Sequence, residues 1–150
     1  MIRRAKISDA EQIQKLINQF ADQGRLLPRS LSEIYDHLRD FHCSENEDRS
    51  IVGVCALHIC WEDLAEIRSL AVATEARKNG IGAQLVKACL EEARQLGVTQ
   101  VFVLTYIPPY FERAGFHTVN KSTLPHKIWA DCIKCVKFPN CDEIAMILEL

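Results

Sequence analysis

Apolar positions along this chain of 150 residues switch between two periods, and the switches mark the elements. Residues 64–72 read as a strand. Ile81, Leu85, Ala88, Cys89, Ala93 and Leu96 then recur at spacings of three and four, one apolar face of a long helix, with Gly97 placed to cap its C-terminus. Upstream, residues 2–7 are a short strand. Ser8-Asp9-Ala10-Glu11 reads as a capping box for a helix whose face is Ile13, Leu16, Ile17 and Phe20, with Gly24 stopping it. After the loop 25–30, Ser30-Leu31-Ser32-Glu33 is a second capping box, for a helix turning Leu31, Ile34, Tyr35 and Leu38 inward. Residues 40–43 are a short strand, 45–49 a solvated hairpin turn, and 51–61 a strand with Gly53 inside it. Downstream, 100–105 is a buried strand. Pro108-Pro109 breaks it and opens a short helix over 110–114, and Gly115-Phe116 leads into another strand. Residues 121–141 show no regular pattern, and 142–150 alternate enough to be a last strand. The order is β-α-α-β-β-β-α-β-α-β-β, a single domain over residues 1–150 of the α/β (α+β) class.

Length suits one domain with one sizeable core. A net charge of -2 gives no electrostatic case for nucleic acid. The chain lacks an apolar run of the roughly 18 residues that a membrane span needs, and Met1-Ile2-Arg3-Arg4 is not the start of a signal peptide. The expected setting is the cytoplasm, with no membrane partner. Of the seven cysteines, Cys43, Cys55, Cys60 and Cys89 sit in apolar or strand-like stretches, as reduced core residues do.

The loop Arg77-Lys78-Asn79-Gly80-Ile81-Gly82, between a strand and the long helix, has the make-up of an anion site. The first amides of a helix lack internal partners, the helix dipole adds partial positive charge, and the glycines let a phosphate approach the backbone. A P-loop needs Gly-Lys-Ser/Thr, and a dinucleotide fingerprint needs a third glycine where Leu85 stands; neither pattern is met. An ordinary strand-loop-helix is the plainer alternative. Arg77-x-x-Gly80-x-Gly82 behind Leu70-Ala71-Val72 resembles the acetyl-CoA loop of the GNAT acyltransferases. Phe111-Glu112-Arg113-Ala114-Gly115-Phe116 resembles the family's helix beside the pantetheine arm, and the order of elements is that of the family over the full length. The resemblance implies a central mixed, mostly antiparallel sheet flanked by helices. It also implies acetyl-CoA as cosubstrate, held by Leu70, Ala71, Val72, Arg77, Lys78, Asn79, Gly80, Ile81, Gly82, Phe111 and Arg113.

A narrower match lies in Leu26-Leu27-Pro28-Arg29-Ser30, Ala65-Glu66-Ile67-Arg68-Ser69-Leu70-Ala71-Val72 and Val103-Leu104-Thr105. These resemble the acetyltransferase domain of N-acetylglutamate synthases, in the free-standing form without a kinase domain. The implied reaction is acetylation of the α-amine of glutamate, the first step toward arginine. Arg29 matches the family's glutamate-binding arginine, whose planar fork pairs with a carboxylate, and Arg68 is the second candidate. The family's further arginine after the Val-Leu-Thr strand is replaced here by the uncharged Tyr106-Ile107-Pro108-Pro109, and Lys127 is the candidate substitute.

Amide formation needs a neutral amine, and Glu66 matches the family's strand glutamate as the base, acting directly or through water. Its alternative role is an ion pair with Arg68, two residues on along the same strand face; Glu62, in the turn, is a weaker base candidate. The backbone amide of Leu70 is implied as the donor to the thioester oxygen. Many family members place a tyrosine acid where this chain has Phe111, so Tyr106 and Tyr110 are the candidates to protonate the leaving thiolate, with packing as their plainer role. Water or the departing ammonium also serves.

Cys132-x-x-Cys135-x5-Cys141 near His126 has donor types that zinc accepts, in only part of the usual pairing; free thiols and no metal are the expectation. Direct transfer leaves no task for a catalytic cysteine. Alternatives to a glutamate acetyltransferase are the same fold acting on another small amine or a protein N-terminus, and a non-catalytic acetyl-CoA sensor, which Phe111 favours and Glu66 with Arg29 disfavour. Homodimers are common in the family, which is analogy alone.

Overall fold

The computed structural model describes residues 1–24, 26, 28–124 and 143–150. Its elements run β1 (Ile2–Arg4), α1 (Ala10–Asp22), α2 (Leu31–Asp36), β2 (Phe41–Glu45), β3 (Ile51–Trp61), β4 (Leu64–Val72), α3 (Ile81–Leu96), β5 (Gln100–Thr105), α4 (Pro108–Glu112), β6 (His117–Val119) and β7 (Ile144–Glu149). The strands form a seven-stranded sheet in the order β1-β2-β3-β4-β5-β7-β6. β4 and β5 are parallel, whereas β1–β2, β2–β3, β5–β7 and β6–β7 are antiparallel.

Contacts divide the chain into two compact units, Met1–His58 with Ile67–Glu92, and Ile59–Glu66 with Ala93–Leu150. In the first, the predicted stripe of α1 is buried: Ile13, Leu16, Ile17 and Phe20 pack with Ile34, Phe41, Cys43, Val54 and Ala71. Gly53 on β3 is a close-approach position. A Cβ there would stand 2.9 Å from Ile81 Cγ2 and 3.0 Å from Leu85 Cδ1, so the first turn of α3 lies on β3 only because this residue has no side chain. In the second unit the core gathers Leu64, Phe102, Leu124 and Ala145. There α3 ends in a Schellman turn. Gly97, at φ 87°, donates to the Arg94 carbonyl and Val98 donates to that of Ala93.

Several boundaries differ from the sequence reading, each for a local reason. The first strand ends at Arg4 rather than residue 7, because the Asp9 carboxylate accepts from the Lys6 amide and starts a 3-10 turn over Ile7–Asp9. Asp9, not Ser8, is therefore the polar anchor at the start of α1. It also takes a two-pronged pair from Arg3, at 2.7 and 2.9 Å. That guanidinium, then the Lys6 amide, holds the buried Asp9 carboxyl below the usual carboxylate range despite desolvation. The second capping box forms as read, with Ser30 Oγ accepting from the Glu33 amide, but Tyr35 faces solvent and Leu38 falls in a 3-10 turn after the helix. Leu96 is exposed; Val86 and Leu90 join Leu85, Cys89 and Ala93 as the buried residues of α3. α4 begins two residues early, with the prolines in its first turn, where a missing N–H costs nothing.

Candidate functional site

The candidate residues divide between the two units, and each part stands on its own elements. In the first unit, β4 runs through Leu70, Ala71 and Val72 into a 3-10 helix, Thr74–Asn79, where the sequence suggested an open loop. Ala73 donates to the Val52 carbonyl at 2.7 Å, fixing where the chain leaves the sheet. Gly80 then turns left-handed at φ 70°, and a Cβ on it would meet nothing within 4 Å. Backbone conformation, not crowding, therefore demands glycine there. The space beside it is open, and α3 starts at the next residue, with Gln84 donating to the Gly80 carbonyl. The amides of Ile81, Gly82 and Ala83 precede that bond in the helical ladder, at the positive end of a 16-residue helix. A phosphate fits this cradle.

Arg77 braces the same turn. Its Nε donates to the Val72 carbonyl at 3.3 Å, and its guanidinium sits 5.0 Å from the centre of the Phe20 ring. Asn79 is exposed, and of Lys78 the structure describes the backbone only. Ala71 is a correction to the expected cofactor contacts: its side chain is buried in the core, which leaves only its backbone for a ligand. Leu70 and Val72 are half-buried. Just before them, Ser69 has φ 56°, a left-handed residue inside a strand. It breaks the regular alternation of peptide groups immediately ahead of the Leu70 amide. Such backbone persists only where its surroundings enforce it, and it gathers at functional sites. No signal in the sequence pointed to Ser69.

Arg29 follows the first helix as expected and is half-buried. Its backbone is clamped by α1: the Arg29 amide donates to Asn18 Oδ1 at 3.0 Å, and its carbonyl accepts from Asn18 Nδ2 and Gln14 Nε2 at 3.3 and 3.2 Å. Gln14 and Asn18, one turn apart on the helix, are positioning residues that the sequence reading missed. Arg68 is half-buried on β4.

In the second unit, Glu66 is buried at 8% exposure and lies opposite Phe102 in the parallel β4–β5 ladder, which pairs Leu64, Ala65 and Glu66 with Gln100, Val101 and Phe102. Thr105, buried at the end of β5, accepts from the Ile107 amide at 2.9 Å through Oγ1 and so shapes the turn that carries Tyr106. Tyr106 is exposed, whereas the hydroxyl of Tyr110 is buried. Phe111 is also a correction. It is 3% exposed and stacks edge-on between Tyr110 and Phe116, at 5.2 and 5.5 Å, so it packs α4 rather than presenting a face to a cofactor. Arg113, at the end of α4, is exposed.

The cysteines of the first unit fit the expectation of buried thiols. Burial pushes the Cys43 thiol up to about 12, and the neighbouring Cys55 followed by burial raises that of Cys89. Neither is a nucleophile at neutral pH. Cys60 is half-buried. Lys127, Cys132, Cys135 and Cys141 lie outside the described residues. Among the described residues no helix is long and apolar enough to cross a membrane.

Comparison with known proteins bears on these parts directly. The model of the acetyltransferase (GNAT) family matches residues 10–116. An uncharacterized N-acetyltransferase of Chlorobaculum tepidum is 40% identical over 149 residues, 99% of this chain and 96% of the relative. An amino-acid acetyltransferase of Mycobacterium tuberculosis is 34% identical over 131 residues, 86% of this chain and 75% of the relative. Among solved structures, Rv2747 of Mycobacterium tuberculosis in complex with CoA superposes with a TM-score of 0.88 at 30% identity, covering 100% of this chain and 99% of that one. The N-acetylglutamate synthase of Neisseria gonorrhoeae complexed with coenzyme A and N-acetyl-glutamate gives 0.90 at 28% identity, over 100% of this chain but 35% of the longer synthase. The strand, the 3-10 turn, the left-handed glycine and the helix start are thus shared architecture, and this chain belongs to the GNAT acetyltransferase family.

Proposed function

We propose that this N-acetyltransferase transfers the acetyl group of acetyl-CoA to the α-amine of an amino acid, L-glutamate first among them. The observation that carries the reading is the likeness, along the whole chain, to the synthase complexed with coenzyme A and N-acetyl-glutamate. Arg29, held in place by Asn18 and Gln14, supports it.

In this reading the amides at the start of α3, beside Gly80, receive the pyrophosphate, with Arg77, Lys78, Asn79 and Gly82 around it. Glu66 removes a proton from the substrate ammonium, directly or through water. The freed nitrogen attacks the thioester carbonyl. The Leu70 amide donates to the oxygen as it gains charge, and the carbon–sulfur bond breaks to release coenzyme A. Tyr106, Tyr110 or water returns a proton to the thiolate; the solvent exposure of Tyr106 makes it the readier donor of the two tyrosines. Arg29 and Arg68 pair with the carboxylates of the acceptor, and Lys127 supplies a further cation. Arginine biosynthesis and a cytoplasmic setting follow from glutamate as acceptor. The uncharged Tyr106-Ile107-Pro108-Pro109 favours a second reading, in which the same chemistry acts on another amino acid or small amine.

The test is thiol release from acetyl-CoA by the purified chain, run against the standard amino acids. Selective turnover of glutamate supports the first reading, and turnover of a different amine replaces it with the second. Tight acetyl-CoA binding without turnover on any acceptor overturns both in favour of a sensor. Arg29→Ala raises KM for glutamate by roughly 10- to 150-fold, since hydrogen bonds to a charged group contribute about 1.5–3 kcal/mol. An unchanged KM removes Arg29 from recognition.

A further inference from the structure

Away from the residues assigned to acetyl transfer, His37, Asp40 and His58 each bring one ligand atom to within 4.8 Å of the others. His37 caps the C-terminus of α2, and Asp40 ends the 3-10 turn that follows, Leu38–Asp40. Side chains three apart on such a turn stack one above the other. The Asp40 amide donates to the His37 carbonyl at 2.9 Å, which locks that spacing. His58 comes from β3, so the cluster joins two elements far apart in sequence.

Asp40 Oδ2 lies 2.9 Å from His58 Nδ1 and 3.7 Å from His37 Nδ1. The two imidazoles meet edge to face, with centroids 5.3 Å apart and planes at 76°. Zinc binds imidazole nitrogen and carboxylate oxygen at about 2.0–2.2 Å in tetrahedral geometry, which sets ligand atoms roughly 3.3 Å apart. Both distances from Asp40 Oδ2 bracket that value. All three residues are half-buried, which leaves the outer side open to solvent ligands.

A hydrogen-bonded aspartate between two histidines is the plainer account of one such contact. It does not require the second imidazole nitrogen to converge on the same carboxylate oxygen. Two imidazoles and one carboxylate are the donor set of borderline first-row ions, not of calcium or magnesium, which take oxygen alone. We propose that His37, Asp40 and His58 form a site for a zinc-class divalent transition ion, with water completing the coordination. The ion ties the turn after α2 to β3 and stabilises the folded chain by mass action.

Cobalt(II) is the probe, titrated into the full-length chain, because its absorption distinguishes nitrogen and oxygen ligands from thiolates. The expected result is one visible d–d band that saturates at one equivalent, without the sulfur-to-metal charge-transfer band that a cysteine site produces. His58→Gln and, separately, Asp40→Asn each weaken the affinity at least about tenfold. Cobalt raises the melting midpoint of the parent chain by about 5–10 °C at a hundredfold excess over Kd, and moves neither variant comparably. Each variant is first checked for a native circular-dichroism spectrum; His37→Gln, at a helix cap, is the substitute if one fails. Absence of binding, an equal affinity in the variants, or a spectrum carried by thiolate alone overturns the proposal.

Discussion

Glu66 and Ser69 sit three residues apart on one strand, and each departs from what a strand position ordinarily accepts. Glu66 is a carboxylate at 8% exposure, and Ser69 is a non-glycine residue at φ 56°. Buried carboxylates are scarce because desolvation penalises the charge, and left-handed serine costs on the order of 1–3 kcal/mol. A strand kept only for packing would shed both. Their persistence beside Leu70 agrees with the proposed roles of base and backbone donor. Glu66→Gln keeps the shape and removes the base, so kcat falls by about 10²–10⁴-fold while acetyl-CoA affinity holds. Steady-state rates across pH measure this, and an unchanged profile takes Glu66 out of the chemistry. Glu66 was legible in the sequence through its motif. Ser69 was not, because a backbone angle leaves no mark on a residue that most turns and strands accept.

At the scale of elements, the acetyl-CoA cradle depends on where α3 begins, and that is decided by its contact with β3. Gly53→Ala places a methyl 2.9 Å from Ile81 Cγ2 and 3.0 Å from Leu85 Cδ1. The Ile81 branch is stiff about χ1, so the helix start must shift. The expected cost is about 1–3 kcal/mol in stability, together with weaker coenzyme A binding. Denaturant melts and a calorimetric titration read the two effects; native affinity in the variant shows that the cradle does not rest on this contact. The same scale explains what periodicity could and could not deliver. β3, β4 and β5 run over the predicted residues, since alternating or continuous apolar runs bounded by turn residues leave one reading. The start of α1 was misread because two carboxylates and a serine all suit a cap in sequence, and the choice of Asp9 depends on Arg3 reaching it from β1.

For the whole molecule, that Arg3–Asp9 pair links global stability to pH. The Asp9 carboxyl is held below its ordinary value, chiefly by hydrogen bonds from Arg3. It therefore contributes its full stability above the unfolded pKa near 4 and loses it as pH falls through the lower folded value. Asp9→Asn lowers stability at neutral pH by about 1.5–3 kcal/mol, and the gap between variant and parent closes as the acid limb is descended. Urea melts from pH 7 to pH 2 measure it; a constant gap assigns the loss to packing instead. Read over the full length, composition and element order alone led to the family, and the glycine-spaced turn before a helix pointed to the anion cradle. Those features are local: periodicity, caps and left-handed glycines act within a few residues. What folding alone decided is everything that needs two distant segments to meet. Asn18 grips the Arg29 backbone, Gly53 admits α3, Phe111 turns from the cofactor into an aromatic stack, and His58 joins the His37–Asp40 turn. Spacing along a chain carries no record of such meetings, because packing and hydrogen bonding are settled by distance in space.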